Sequence, residues 1–211
     1  MRRAATLLAA LAGLAVSDAA SLDSPGAVAA DRVFSAYIAA RGRQDVRTLV
    51  ALTDPRIRAV DAEGHAHPPD ESRLRKVVAW EGAMHAKWKS RAVAWDGRWL
   101  EVEASEENDL YDALGVGAAI LRHRIRVEQG RIVEWEGLGE RSTGRAQPEA
   151  LAEFKAWVGT LPPDLRAGVL ERGSLVLNAE SAARMVPLLA RWRKEHPAAE
   201  STPPASGRVP G

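Results

Sequence analysis

The stretch from Leu121 to Gly137, "LRHRIRVEQGRIVEWEG", constrains the fold more than any other part of this chain. Side chains alternate across a strand, so Leu121, His123, Ile125 and Val127 share one face while Arg122, Arg124 and Arg126 share the other. Gln129-Gly130 suits a tight turn, and "RIVEWEG" returns as a second strand. The arginine face must be solvated or must meet acids such as Glu101 and Glu103 on a neighbouring strand. His123 then points inward with the apolar residues. There it either lines a ligand pocket or packs as a hydrogen-bonded core histidine.

The segments before this hairpin supply its partners. "KSRAVAWDG" and "RWLEVEASE" read as two more strands joined at Asp96-Gly97, a strong hairpin signal. Near the start, Val33, Phe34, Tyr37 and Ile38 recur at helical spacing, Gly42 stops the helix, and Asp45 can cap a second one. A short strand runs from Ile57 to Asp61, followed by the turn-rich loop "AEGHAHPPDES". "DESRLRKVVAWEGAMHAKWK" reads as one helix with acids in its first turn. "ENDLYDALGVG" is too polar for a strand and reads as a short helix or a lid-like loop. From Pro148 two more helices are expected. The first closes at Pro162-Pro163; the second starts at Asn178 as N-cap and carries Pro187 as a kink.

The 211 residues, 46% of them hydrophobic, suffice for one domain with an appendage. Lys+Arg 29 against Asp+Glu 28 gives a net charge of +1, which implies no bulk attraction to nucleic acid. The absence of cysteine excludes disulfides and thiolate chemistry. Arg2 and Arg3, the apolar run Ala4 to Val16 and the small-residue stretch "SDAAS" have the layout of a secretory signal over 1–20. That run is too short for a membrane span of about 20 residues. The expectation is an exported, periplasmic or extracellular protein with no membrane span once the signal is removed, ending in a disordered tail over 197–211.

Helix, short helix, strand, helix, then long antiparallel strands is the order of a cone-shaped α+β fold. With "FSAYIAARGRQDVRTLVAL" and the terminal "VEQGRIVEW", the chain resembles the nuclear transport factor 2-like (NTF2-like) superfamily and, within it, the SnoaL-like proteins. "WEGAMHAKW", "ENDLYDALGV" and "SLVLNAESAARMVPLLARWRKEH" are similar to a bacterial subgroup with a helical C-terminal extension. The resemblance implies a curved antiparallel sheet wrapped by N-terminal helices around a cavity, over 27–140, with a helical extension over 148–196. Members include isomerases, dehydratases, cyclases, hydrolases of small lipophilic compounds and proteins without catalysis, so fold alone does not give function. SnoaL-type cyclases commonly continue the last strand into Arg-Asp-Asn. Here Glu136-Gly137-Leu138-Gly139-Glu140 stands instead, which speaks against a cyclase.

Three residues are candidates for acid/base chemistry. Read as one helix, "LRKVVAWEGAMHAKW" puts Leu74, Val77, Glu81, Met84 and Trp88 in one apolar stripe, with His85 one turn beyond Glu81. A carboxylate on a buried face must be paired, neutralised or facing a wet cavity. Glu81, His85 and His123 would then move protons, with Tyr37, Asp61, Asn108 and Tyr111 orienting a ligand and Trp80, Trp88, Trp95, Trp99 and Trp135 lining an aromatic wall. The competing account makes the same residues a structural network. A metal variant would use Glu81, His85 and His123, and "GHAH" offers a second histidine pair, but no tight ligand motif supports a metal and no cofactor is expected. The expected partner is a small lipophilic molecule in the cone, with isomerase- or dehydratase-type chemistry as an extension. The alternative is a non-catalytic module whose sheet face forms a homodimer or docks a partner.

Overall fold

A computed structural model describes residues 21–67 and 70–197, without the side chain of His67. The expected signal segment and all of the expected tail except Pro197 lie outside the described residues. Helix α1 (Pro25–Gly42) starts at Ser24, whose Oγ accepts from the Ala27 N–H, with Pro25 at the first position, where no N–H is needed. Helix α2 (Val46–Ala51) is capped by Asp45, which accepts from the Thr48 N–H at 3.0 Å. Strand β1 (Thr53–Val60) and the two-residue β2 (Ala66–His67) follow, then α3 (Glu71–Ala83), β3 (Lys87–Trp95) and β4 (Leu100–Glu107). A short α4 (Asp109–Leu114) leads into the long hairpin of β5 (Ala119–Glu128) and β6 (Arg131–Ser142). The chain ends in α5 (Gln147–Thr160), α6 (Pro163–Arg166), the miniature hairpin β7 (Leu170–Glu171) and β8 (Ser174–Leu175), and α7 (Ala179–Glu195).

The main sheet has the order β2-β1-β6-β5-β4-β3. It is antiparallel except where β1 runs parallel to β6, so the sheet is mixed rather than wholly antiparallel. From β1 the chain crosses through α3 to the far edge. It then winds back by hairpins, and β6 arrives beside β1 in the same direction. Extra residues at Val93 on β3 and at Val133 and Leu138 on β6 make bulges that bend the strands that carry them.

Each face has its own chemistry. On the outer face Arg122 meets Glu101 at 3.1 Å, Arg91 meets Glu103 at 2.6 Å, Arg124 meets Glu136 at 2.6 Å, and Arg126 meets Glu134 at 2.5 Å. The inner face buries Leu100, Val102, Ala104 and Ile125 against Ala30, Phe34 and Ile38 of α1. A second core joins Trp80 and Met84 to Leu110 and Leu114 of α4 and to Phe154, Val158, Met185, Leu189 and Trp192 of the C-terminal helices. The "ENDLYDALGVG" segment is therefore a helix seated in that second core, not a lid.

One expected element is divided. Helix α3 ends at Ala83, His85 takes a positive φ of 53°, and Trp88 belongs to β3. In "AMHAKWK" the pair Met84 and Trp88 satisfies both helical spacing and strand alternation, so periodicity alone could not place the break. The chain reverses there, and Trp88 packs with the core between α1 and the sheet.

Candidate ligand cavity

Between α1, β1, α3 and the inner side of β5 and β6 lies a cavity of about 1050 Å³. Tyr37, Arg41, His123 and Trp135 form its partly buried end, and Ile57, Val77 and Leu121 supply apolar wall. Exposed Glu63, Glu71, Arg73 and Glu140 mark where it meets solvent. Gly137 makes the wall between β1 and β6 possible: a Cβ there would lie 2.9 Å from the Ala62 nitrogen and 3.1 Å from the Asp61 carbonyl carbon.

His123 enters the cavity from β5 opposite Gly137, beside the β6 bulge at Leu138. The Trp135 Nε1–H donates to His123 Nδ1 at 3.1 Å, and the two ring centroids lie 5.0 Å apart. Phe34 and Tyr37 flank the same indole at 5.6 and 5.4 Å. Burial, and then the nearby Arg41 charge, lower the His123 pKa to about 4. Burial also raises the Tyr37 hydroxyl pKa, against the influence of Arg41, so that hydroxyl keeps its proton as a donor.

Arg41 was not anticipated from the sequence. Its guanidinium grips Glu81 with both carboxylate oxygens engaged and lies 4.2 Å over the Trp88 ring. Burial opposes the arginine charge, yet the hydrogen bonds and charge of Glu81 hold its pKa above the ordinary value. A signal existed, since Arg41 stands four residues after Tyr37 on the inward face of α1. Glu106, also not anticipated, is buried beside this pair. Burial and then the Glu81 charge raise its pKa to about 7, although Asn108 Nδ2 donates to it at 2.8 Å.

Of the three acid/base candidates, His123 lines the cavity, whereas Glu81 lies behind Arg41 and His85 stands outside. His85, with its side chain 75% exposed, pairs with Asp109 at 2.7 Å. The helix end at Ala83 removes the one-turn spacing that would have joined it to Glu81. The metal variant built on these three is not assembled.

Among the orienting candidates, Tyr37 and Asp61 line the cavity. Asn108 caps α4 by accepting from the Tyr111 N–H, and the Tyr111 hydroxyl accepts from Gln147 at 2.8 Å. Trp80 is in the second core and Trp88 is under Arg41. Asp61, Glu63 and His65 bring ligand atoms within 4.8 Å of one another at the β1–β2 turn, where Asp61 accepts from the Glu63 and His65 N–H groups.

No family model matches the sequence, and no curated protein matches it. Solved structures do match. A SnoaL-like protein from Jannaschia sp. CCS1 aligns at 14% identity and TM-score 0.43, covering 54% of this chain and 87% of that one. An NTF2-like protein from Burkholderia xenovorans LB400 aligns at 13% identity and TM-score 0.40, covering 58% and 95%. An LEH-like epoxide hydrolase from M. tuberculosis aligns at 14% identity and TM-score 0.39, covering 52% and 81%. Each of these alignments spans only about half of this chain, at low identity.

Proposed function

We propose that this protein binds a small, largely apolar or aromatic molecule in the cavity between α1, α3 and the inner side of β5 and β6. The observation that carries this reading is the cavity itself, about 1050 Å³, with an aromatic end at Tyr37 and Trp135 and aliphatic wall at Ile57, Val77 and Leu121. That is the size and chemistry of a small-molecule site, at the upper end of the usual ~300–1,000 Å³. A docking role for the outer sheet face has less support, because that face is laced with ion pairs rather than apolar surface. Any acid/base step in the cavity has His123 at hand but neither Glu81 nor His85. We also read residues 1–20 as an export signal, so the ligand would be met outside the cytoplasm.

The test is a ligand-detected NMR screen of small aromatic and alicyclic compounds against the folded protein and a Leu121→Trp variant, whose larger side chain intrudes on the cavity wall. Saturable binding that Leu121→Trp weakens supports the reading. No saturable binding, or binding indifferent to the altered wall, overturns it.

A further inference from the structure

His123 faces the cavity with one ring nitrogen already engaged. An indole N–H only donates, so at 3.1 Å from Trp135 Nε1 the His123 Nδ1 must be the acceptor. A neutral imidazole that accepts at Nδ1 carries its proton on Nε2. Among the described residues no group hydrogen-bonds to Nε2, and that nitrogen is not one of the sealed, unpartnered buried atoms. The charges around it also select. The cavity's Arg41 is held by Glu81, while Asp61, Glu63 and Glu140 outnumber Arg73, the other arginine in the lining, and oppose a bound anion.

We infer, building on the reading of the cavity as a ligand site, that His123 Nε2–H is a hydrogen-bond donor to the bound molecule and that this molecule presents it a neutral acceptor oxygen, a ketone or ester carbonyl. Trp135 is the positioning residue, since its N–H fixes the histidine tautomer. The low proton affinity of the ring agrees with this role, because the imidazole stays neutral across the physiological range. With Nδ1 engaged and Nε2 protonated, the ring polarises a carbonyl rather than removing a proton.

Two measurements test this. Long-range 1H–15N NMR of the free, labelled protein at pH 7 should give a His123 ring with unprotonated Nδ1 and protonated Nε2. A proton on Nδ1 overturns the inference, whatever binds. The second compares 2-acetonaphthone with its isosteric alkene 2-isopropenylnaphthalene and with 2-naphthoate. One neutral hydrogen bond is worth up to about tenfold in affinity, so the ketone should bind up to about tenfold tighter than the alkene, with naphthoate weakest. In His123→Phe the ketone preference should vanish while the alkene still binds. In Trp135→Phe, which retains the histidine, the NMR tautomer should become mixed and the preference should shrink. Equal affinities for ketone and alkene, or a preference unchanged in His123→Phe, overturn the donor role. If none of the three probes binds, the cavity reading falls and the carbonyl ligand falls with it, while the NMR tautomer still decides the state of His123.

Discussion

Arg41 Nε donates to Glu81 Oε2 at 2.9 Å across 40 residues of sequence, tying α1 to α3 behind the cavity. The Glu81 side chain is 5% exposed and that of Arg41 21%, so each is the other's main compensation for leaving water. Removing one partner of such a pair costs about 3–5 kcal/mol, because it strands a buried charge, whereas an apolar pair of similar volume is often tolerated. Glu81→Gln and Arg41→Met should therefore each lower stability by roughly that amount in urea unfolding. Arg41→Met combined with Glu81→Leu should cost clearly less than the two singles added together. Additive losses would mean that the two side chains act independently.

The two buried titrating groups near this pair give opposite pH dependences. Glu106 has its folded pKa raised from 4.5 to about 7, so the folded state binds more protons than the unfolded one between those values, and its contribution falls as pH rises. His123 has its folded pKa lowered from 6.5 to about 4, so the unfolded state binds more protons in that window, and its contribution is lost as pH falls. Relative to the parent, Glu106→Gln should be more favourable at pH 8 than at pH 5. His123→Gln should flatten the stability loss between pH 6.5 and 4. Urea midpoints across pH 4–8 for the three proteins check both signs.

Gly137 is constrained by backbone, not by flexible side chains. A methyl group there meets the Ala62 nitrogen at 2.9 Å and the Asp61 backbone just beyond, so β1 must move away from β6. Gly137→Ala should lower stability by about 1–3 kcal/mol, as overpacking does, and weaken any cavity ligand by reshaping its wall. Gly42→Ala is the control. It lies at the end of α1 with nothing within 4 Å of its would-be Cβ and should be neutral or stabilising by up to about 1 kcal/mol. Thermal unfolding of both variants separates a packing effect from a general loss of glycine.

Much of the architecture was legible because patterns of period two and of helical period are written plainly in this chain. The Arg122, Arg124 and Arg126 face forecast its acidic partners, and Glu101 does meet Arg122. The Gln129-Gly130 turn adopts the positive φ values, 50° and 75°, that its residues suggested. The site was less legible, for two physical reasons. A single break at Ala83 moved His85 to the surface and Trp88 onto a strand, and a run that fits both periods does not announce such a break. The second reason is that partners from distant segments cannot be read from local spacing. Glu81 was expected to be paired, and it is, but with Arg41 rather than His85. Asn108 and Tyr111 look like binding residues in sequence because capping and ligand binding use the same polar groups.

The C-terminal helices share a core with α3 and α4, and this separates stability from binding in a testable way. Trp192 on α7 is 2% exposed and packs edge-on to Phe154 at 5.5 Å, in the cluster that also holds Trp80 and Met84. Trp192→Ala should cost about 3–5 kcal/mol, the usual range for deleting a large buried aromatic. No residue of α7 lines the cavity, so a probe that binds there should keep its affinity in the variant under fully native conditions. Urea unfolding and probe titration on the same sample read the two quantities. A large stability loss with unchanged affinity would make α7 a support for α3 and α4. An unchanged midpoint would mean that α7 does not dock as described.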